Sequence, residues 1–216
     1  MKQIFNFSQN DLILDLKIKA NIEILNTENN AFVDFQSDDE GLIIECDEKN
    51  MLSIVNSKKL KGIKSLESFL NFIQESIVEK EQNVSDIKIY MPQNSNLTLK
   101  SNKSQLIIKA SLNKFETKIN TANINILEYI KQCHIKANTL NFSSEKAFER
   151  LYLKTNSGII KLEANKETLK YEIKANNANI NINKNDFDGV IVQDNRINSQ
   201  NEKIIEIKNN GFTNIS

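Results

Sequence analysis

The sequence repeats a short apolar pattern every nine residues, and this period limits the folds open to the chain. Steps of nine from residue 97 always reach an apolar residue: Leu97, Leu106, Phe115, Ile124, Cys133, Phe142, Leu151, Ile160 and Leu169. The positions two residues further on are also apolar, except Thr117 and Ser144. Apolar residues at i and i+2 are typical of a half-buried strand. The period therefore predicts strands of about four residues, separated by bends of about five.

The predicted bends are rich in asparagine, which occurs 33 times in a chain with five glycines and one proline. They lie at 101–105, 111–114, 120–123, 136–139, 164–168 and 175–179. Asparagine tolerates the left-handed backbone conformation of tight bends better than most residues do. Asparagines stacked at equivalent corners can also form ladders of side-chain amides.

The remainder of the chain shows the same pattern less regularly. Further strands are predicted at 12–18, 21–25, 31–35, 42–46 and 52–55, and then at 180–182, 190–192 and 204–207. Between these groups, apolar residues follow a helical spacing, which predicts a helix over 65–82. We therefore expect a single domain over 1–216, with irregular strand repeats in 1–60, a helical insertion at 65–82 and regular nine-residue repeats in 86–210.

Two all-β folds accommodate these short strands. In a parallel β-solenoid with two strands per turn, Leu97, Phe115, Cys133, Leu151 and Leu169 form one stack, and Leu106, Ile124, Phe142 and Ile160 form another. In an antiparallel β-sandwich or meander, each unit is a strand followed by a hairpin. Tight hairpins favour Asn-Gly or Asp-Gly pairs. Such pairs occur at 188–189 and 210–211 but not within the regular repeats, so the sequence favours the solenoid.

Several segments resemble the bacterial putative-adhesin family, a domain-of-unknown-function group built from short β-strand repeats. The segments are LIIEC (42–46), MLSIV (51–55), IKIYMP (87–92), LTLKSNKSQLIIKAS (97–111) and LYLKTNSGIIKLEAN (151–165). The resemblance covers residues 20–210 and implies a β-solenoid or a related all-β fold. It implies an adhesin-like or envelope-associated role and transfers no catalytic residues.

The candidate chemical groups point to no catalytic or metal site. Alternation places Cys133 inward and the single histidine, His134, outward, so the two do not form a thiol–imidazole pair. Cys46 continues an apolar face with Leu42 and Ile44, which predicts a buried thiol. Acidic residues at 38–40 and 186–188 lack the spacing of a calcium loop. We expect no catalytic residues, no metal and no cofactor.

The charges are balanced over the chain but not along it. The chain carries 28 basic and 28 acidic residues, with a net charge of −6 over 1–90 and +6 over 91–216. This balance argues against a nucleic-acid-binding domain. Lys100, Lys109, Lys118 and Lys136 share one register of the nine-residue repeat. They predict a basic stripe that could bind an anionic surface, although outward lysines also serve solubility.

From the sequence we predict a non-enzymatic β-repeat protein, either a binding module or a scaffold, whose partner is unknown. The partner could be another protein, a second copy of the chain, or an anionic surface. A carbohydrate-active, lyase-like solenoid enzyme is the alternative, with Arg150 and Arg196 as its only arginines. Because no apolar run is long enough for a membrane span or signal peptide, we expect a cytoplasmic location, or one peripheral to the membrane or cell envelope.

Overall fold

The computed structural model describes residues 1–8, 11–38, 41–47, 51–56, 84–193 and 203–216, and it shows an all-β fold without a helix in these ranges. The 14 strands are β1 (Lys2–Asn6), β2 (Asp11–Thr27), β3 (Phe32–Gln36), β4 (Leu42–Cys46), β5 (Met51–Asn56), β6 (Ser85–Pro92), β7 (Ser95–Lys109), β8 (Leu112–Ile126), β9 (Ile130–Ser144), β10 (Arg150–Asn165), β11 (Lys170–Asn185), β12 (Val190–Gln193), β13 (Ile204–Asn209) and β14 (Thr213–Ile215). The predicted helix over 65–82 lies outside the described residues.

Parallel pairing joins the long strands. The order along the main path is β1-β3-β6-β2-β7-β8-β9-β10-β11-β13-β12, and this path does not close on itself. Strands β7 to β10 pair with an offset of 18 residues, for example Leu97 with Phe115 and Phe115 with Cys133. The nine-residue period is therefore half of the structural repeat. Each of β7, β8, β9 and β11 contains two predicted short strands, joined through a predicted bend.

The two predicted apolar stacks are buried. Leu106, Ile124 and Ile160 are each at most 2% exposed, and they pair in order through Phe142. The other stack ends on Tyr171 rather than on Leu169, because β10 and β11 pair with an offset of 20 residues.

A buried tyrosine hydroxyl accommodates this longer repeat. The two extra residues lie between Lys161, which pairs with Ser143 and Asn181, and Lys170, which pairs with Arg150. The hydroxyl group of Tyr171 accepts the backbone N–H of Phe148 at 2.8 Å. It donates to the backbone carbonyl of Glu163 at 2.7 Å. Burial raises the pKa of Tyr171 to about 12, so the hydroxyl keeps its proton at neutral pH.

The N-terminal strands depart from parallel pairing. Strand β3 pairs antiparallel with both β1 and β6, and β4 pairs antiparallel with β5. Among the described strands, β4 pairs only with β5 and its side chains are half-buried or exposed. The predicted burial of Cys46 is therefore wrong: this thiol is exposed because β4 lies at the edge of the sheet.

Most bend asparagines do not use the left-handed conformation. Among the described residues, positive φ occurs only at Asn94, Asp186 and Gly158. Four of the six predicted bends, at 101–105, 120–123, 136–139 and 175–179, lie within continuous strands. Their asparagines have a different role, which is described below.

Gly158, near the middle of β10, allows this strand to approach β9 closely. Its φ is 144°, and an added Cβ atom would lie 1.8 Å from the backbone oxygen of Leu140. The backbone of the neighbouring strand therefore excludes any side chain at this position.

Replacement of this glycine should destabilise the fold severely. We expect Gly158→Ala to lower the free energy of unfolding by roughly 3 kcal/mol or more, because both the backbone conformation and the contact with Leu140 are incompatible with a methyl group. Ser157→Ala is the matched control and should change the stability by less than about 1 kcal/mol. Urea denaturation followed by circular dichroism measures both. Equal midpoints for wild type and Gly158→Ala would contradict the close approach.

Candidate functional site

In-register pairing aligns lysines on adjacent strands. Lys100 pairs with Lys118, Lys118 with Lys136, and Lys136 with Lys154. We call these four residues the lysine row; all four are exposed. Because neighbouring strands lie about 4.8 Å apart, the backbone positions of the row span about 14 Å. Beyond Lys154 the register continues to Lys174.

Asparagines two residues further along each strand form a second row parallel to the first. In this asparagine row, Asn120 donates to Asn102, Asn138 to Asn120, Asn156 to Asn138 and Asn176 to Asn156, each through the side-chain amides. The backbone pairs recorded for β7–β8 and β8–β9 skip this position and resume on either side. The side-chain ladder thus continues the hydrogen bonding between strands where the corner interrupts the backbone ladder, as stacked amides can.

The two rows line one open groove of about 590 Å³. The residues between them, Ser101, Ile119 and Ala137, line it as well. At one end lie Asp15, Leu16 and Lys17, and among the described residues that line the groove Asp15 is the only acidic one. The groove is therefore polar along its sides and carries predominantly positive charge.

The lysine row lacks acidic partners. None of its four ammonium groups lies within 4.0 Å of a carboxylate of the described residues. In contrast, Lys174 pairs with Glu172, and Asp15, which pairs in register with Lys100, lies 4.0 Å from Lys17. Like charges on directly paired positions repel each other. The row is therefore an array of positive charge without an ion pair in the described residues, with a carboxylate near each end and Glu116 near Lys136. The pKa of Glu116 is lowered first by its hydrogen bond with Lys114, and the charge of Lys136 contributes to the same effect.

An aromatic pair lies beside the row. The ring of Tyr152 has the ammonium groups of Lys136 and Lys174 at 5.7 Å and 5.6 Å from its centroid, within the range of a cation–π interaction. His134 meets the same ring edge-on at 4.5 Å. Tyr152 and His134, with Arg150 and Glu172, line a second shallow pocket of about 280 Å³.

The structure separates one predicted stripe residue from the others. Lys109 lies in the second half of β7, pairs in register with Leu25, and forms an ion pair with Glu23 at 2.7 Å. A step of nine residues crosses from one half of the repeat to the other, so only steps of 18 remain in one row. The predicted stripe also omitted Lys154, although steps of nine residues from Lys100 reach it as well as steps of 18. It also missed that the asparagines form the other side of the groove.

The structure places Cys133 and His134 on opposite faces of β9, and of the acidic cluster at 38–40 only Asp38 lies within the described residues. Cys133 is 2% exposed and burial raises its pKa, whereas His134 lies on the outer side of β9. Asp188 is exposed and its carboxylate binds Lys203 at 2.7 Å. No group of three or more histidine, cysteine or acidic residues in the described ranges could hold a metal ion. Within the same ranges, no helix has the length and apolar character required to span a bilayer.

Comparison with solved structures finds proteins with adhesin names. A putative cell adhesion protein from Clostridium sporogenes aligns with a TM-score of 0.39 and 12% identity, over 100% of this chain and 98% of that one. A putative adhesin from Bacteroides fragilis aligns with a TM-score of 0.45 and 10% identity, over 100% of this chain and 95% of that one. A putative lipid binding protein from Parabacteroides distasonis aligns with a TM-score of 0.33 and 12% identity, over 100% of this chain and 96% of that one.

The adhesin designation of two of these structures is also that of the family which the sequence resembles. The designations describe those proteins alone. No family model and no curated protein matches the chain.

The imidazole of His134 should make stability depend on pH. Its pKa is lowered by burial and then by the charge of Lys136, while Glu116 acts in the opposite direction. Its Nε2 atom is buried without a hydrogen-bond partner among the described residues. An imidazole in an unfolded chain titrates near about 6.5. Below that pH the unfolded chain binds more protons than the folded one, so stability should fall as the pH decreases and level off below the lowered pKa of the folded state.

The variant His134→Gln tests this expectation. Urea midpoints measured at about pH 7.5 and about pH 5.5 should decrease more for the wild type than for the variant, because only the wild type carries the imidazole. Carboxylates elsewhere titrate in both proteins and cancel in the comparison. The same decrease in both would show that His134 is not the group responsible.

Proposed function

We propose that this protein is a non-enzymatic, adhesin-like binding module of the bacterial cell envelope, which binds an anionic partner along its lysine row. The main observation in support of this proposal is the alignment of four lysines on successive strands beside an open groove. None of the four forms an ion pair with an acidic residue in the described part of the chain. Such an array maintains a positive potential that attracts anions. Binding of an anion reduces the repulsion between the lysines.

We further propose that the long strands are the turns of a β-solenoid which acts as a rigid scaffold for this row. Its support is the constant 18-residue offset across β7, β8, β9 and β10, together with two buried apolar stacks that run in the same direction. A scaffold of this kind fixes the spacing of the charged groups, so that the entropy cost of aligning them is met during folding rather than during binding.

A need for solubility alone does not explain why these lysines are aligned on successive strands. Exposed lysines that serve only solubility gain nothing from being placed on directly paired positions, where they repel one another. Elsewhere on the described strands, some exposed lysines have acidic neighbours, as Lys109 has Glu23 and Lys114 has Glu116. Others have no ion pair with a described residue but are not aligned with further lysines, as Lys161 pairs in register with Ser143 and Asn181. The alignment on successive strands is therefore what distinguishes the row.

Neutralising the centre of the row should weaken binding to polyanions. We expect Lys118→Gln/Lys136→Gln to reduce the affinity for dextran sulfate roughly tenfold, since each exposed ion pair contributes up to about 1 kcal/mol. The wild-type affinity should itself fall steeply as salt rises, and neutral dextran should not bind. Isothermal titration calorimetry at two salt concentrations measures these quantities.

The matched control removes the same charge elsewhere. Lys161 and Lys184 are exposed and do not line the groove. Lys161→Gln/Lys184→Gln should therefore retain the affinity within about threefold, which is the effect of general charge alone. Equal losses in both double variants would contradict a specific role of the lysine row.

The alternative is a lyase-like, carbohydrate-active solenoid, and its candidate site is the pocket formed by Arg150, His134 and Tyr152. A lyase needs a cation to neutralise a uronate and a base to remove a proton from it. An ultraviolet assay for the unsaturated product of polygalacturonate cleavage tests this alternative. If turnover appears and Arg150→Ala removes it, the non-enzymatic proposal is wrong.

A further inference from the structure

We infer that the partner of the lysine row is a linear acidic polysaccharide, one chain of which lies lengthwise in the groove between the lysine row and the asparagine row. This inference rests on the proposed function and narrows it to a substrate class. It combines three features of the groove: its repeating charge, its repeating amide groups and its shape.

The charges repeat at a spacing that suits a polymer. Each lysine of the row comes from the next strand, so that the backbone positions of the lysines recur about every 4.8 Å. This distance is close to the length of one sugar unit in an extended polysaccharide. A polyuronate carries one carboxylate on each sugar and can therefore place anionic groups beside several lysines without bending.

The amides of the opposite row suit hydroxyl groups. A side-chain amide carries two N–H donors and an oxygen with two lone pairs. Within the ladder, Asn120 and Asn138 each use one donor and one lone pair on their row neighbours. One donor and one lone pair of each exposed amide remain, and a sugar hydroxyl, which both donates and accepts, can satisfy both. A phosphate diester or sulfate offers acceptors alone.

The groove favours a single chain over a flat surface. The asparagine side chains and the residues between the rows line the same cavity of about 590 Å³ as the lysines. A bilayer surface can also reach exposed ammonium groups, but it presents a plane of headgroups rather than a single chain with regularly spaced carboxylates and hydroxyl groups. A single polymer chain can contact both rows simultaneously, which is the geometry in which all of these groups are used.

The ends of the row set the length of the bound segment. The carboxylate of Asp15 lies at one end, and Glu172 neutralises Lys174 at the other. Between them are the four lysines of the row, so that about four sugar units should occupy the groove, one for each strand. Longer oligomers would extend past the carboxylates and gain no further ion pairs.

The first experiment measures the affinity of the full chain for oligogalacturonates of increasing length by calorimetry. Affinity should rise up to about four units and then remain constant within about twofold, because the row ends there. Fully methyl-esterified polygalacturonate should not bind, because its carboxylates are masked. Equal affinity of the acid and ester polymers, or a rise in affinity that continues without a plateau, would overturn the inference.

The second experiment separates hydroxyl recognition from charge. Asn138→Ala leaves every lysine in place and should weaken binding of polygalacturonate about threefold to tenfold, the loss expected for about one hydrogen bond. Binding of linear polyphosphate, which has no hydroxyl groups along its chain, should change by less than about twofold.

Asn141→Ala is the matched control: it removes a similar ladder contact, to Asn123, outside the groove. Its thermal denaturation shows how much a broken ladder alone affects the fold. Equal losses for both polymers, or from both variants, would overturn the role of the asparagine row.

The third experiment distinguishes this inference from the proposed function. Vesicles of phosphatidylglycerol and phosphatidylcholine in equal parts serve as a second anionic probe, in a co-sedimentation assay at low and high salt. If the chain binds the vesicles through the lysine row and not polygalacturonate, the inference is overturned and the proposed function stands. If it binds neither polygalacturonate nor vesicles and also fails to bind dextran sulfate, both are overturned.

Discussion

Parallel pairing at a constant offset determines what this molecule presents to solvent. When each strand pairs with the next in the same register, every residue is placed beside its equivalent, and a single sequence position becomes a row. Buried positions then form apolar stacks such as the one through Leu106, Ile124 and Phe142, which hold the strands together. Outward positions form rows of like chemistry, whether or not that likeness is favourable. The lysine row and the asparagine row follow from the same constraint as the core.

The two rows have opposite energetic consequences for the fold. Stacked amides hydrogen-bond with one another, so Asn120 and Asn138 stabilise the corner where backbone pairing is interrupted. Stacked ammonium groups repel, and none of the row lysines forms an ion pair with a described residue, although Lys136 lies over the ring of Tyr152 and near the carboxylate of Glu116. Local rules are most often violated at functional sites, where a ligand supplies what the fold lacks. The juxtaposition of a hydrogen-bonded row with a row of like charges is therefore the main support for the proposed binding groove.

The sequence predicted the all-β class and the buried positions because burial leaves a periodic apolar signal that is independent of how the strands pair. It predicted that stacked asparagines can form amide ladders, but not which asparagines form them. Positions that depend on pairing were harder to predict, since a nine-residue period does not reveal that the register repeats only every 18. This is why Lys109 was grouped with Lys118, although an ion pair with Glu23 holds it elsewhere. The prediction that Cys46 is buried was wrong for a related reason. Alternation shows which side of a strand is apolar, whereas the burial of that side depends on the neighbouring strands.

The choice of lysine determines where specificity in the groove must come from. An ammonium group is a compact charge without the planar fork by which arginine fixes a carboxylate in a defined orientation. A row of lysines therefore attracts any regularly spaced anion and discriminates poorly among them. The amides opposite are neutral and fixed by their own ladder, so the hydrogen-bonding groups they leave available are held in place before a partner arrives. Attraction and discrimination are thus divided between the two rows, and a variant in one should change a property that a variant in the other leaves largely intact.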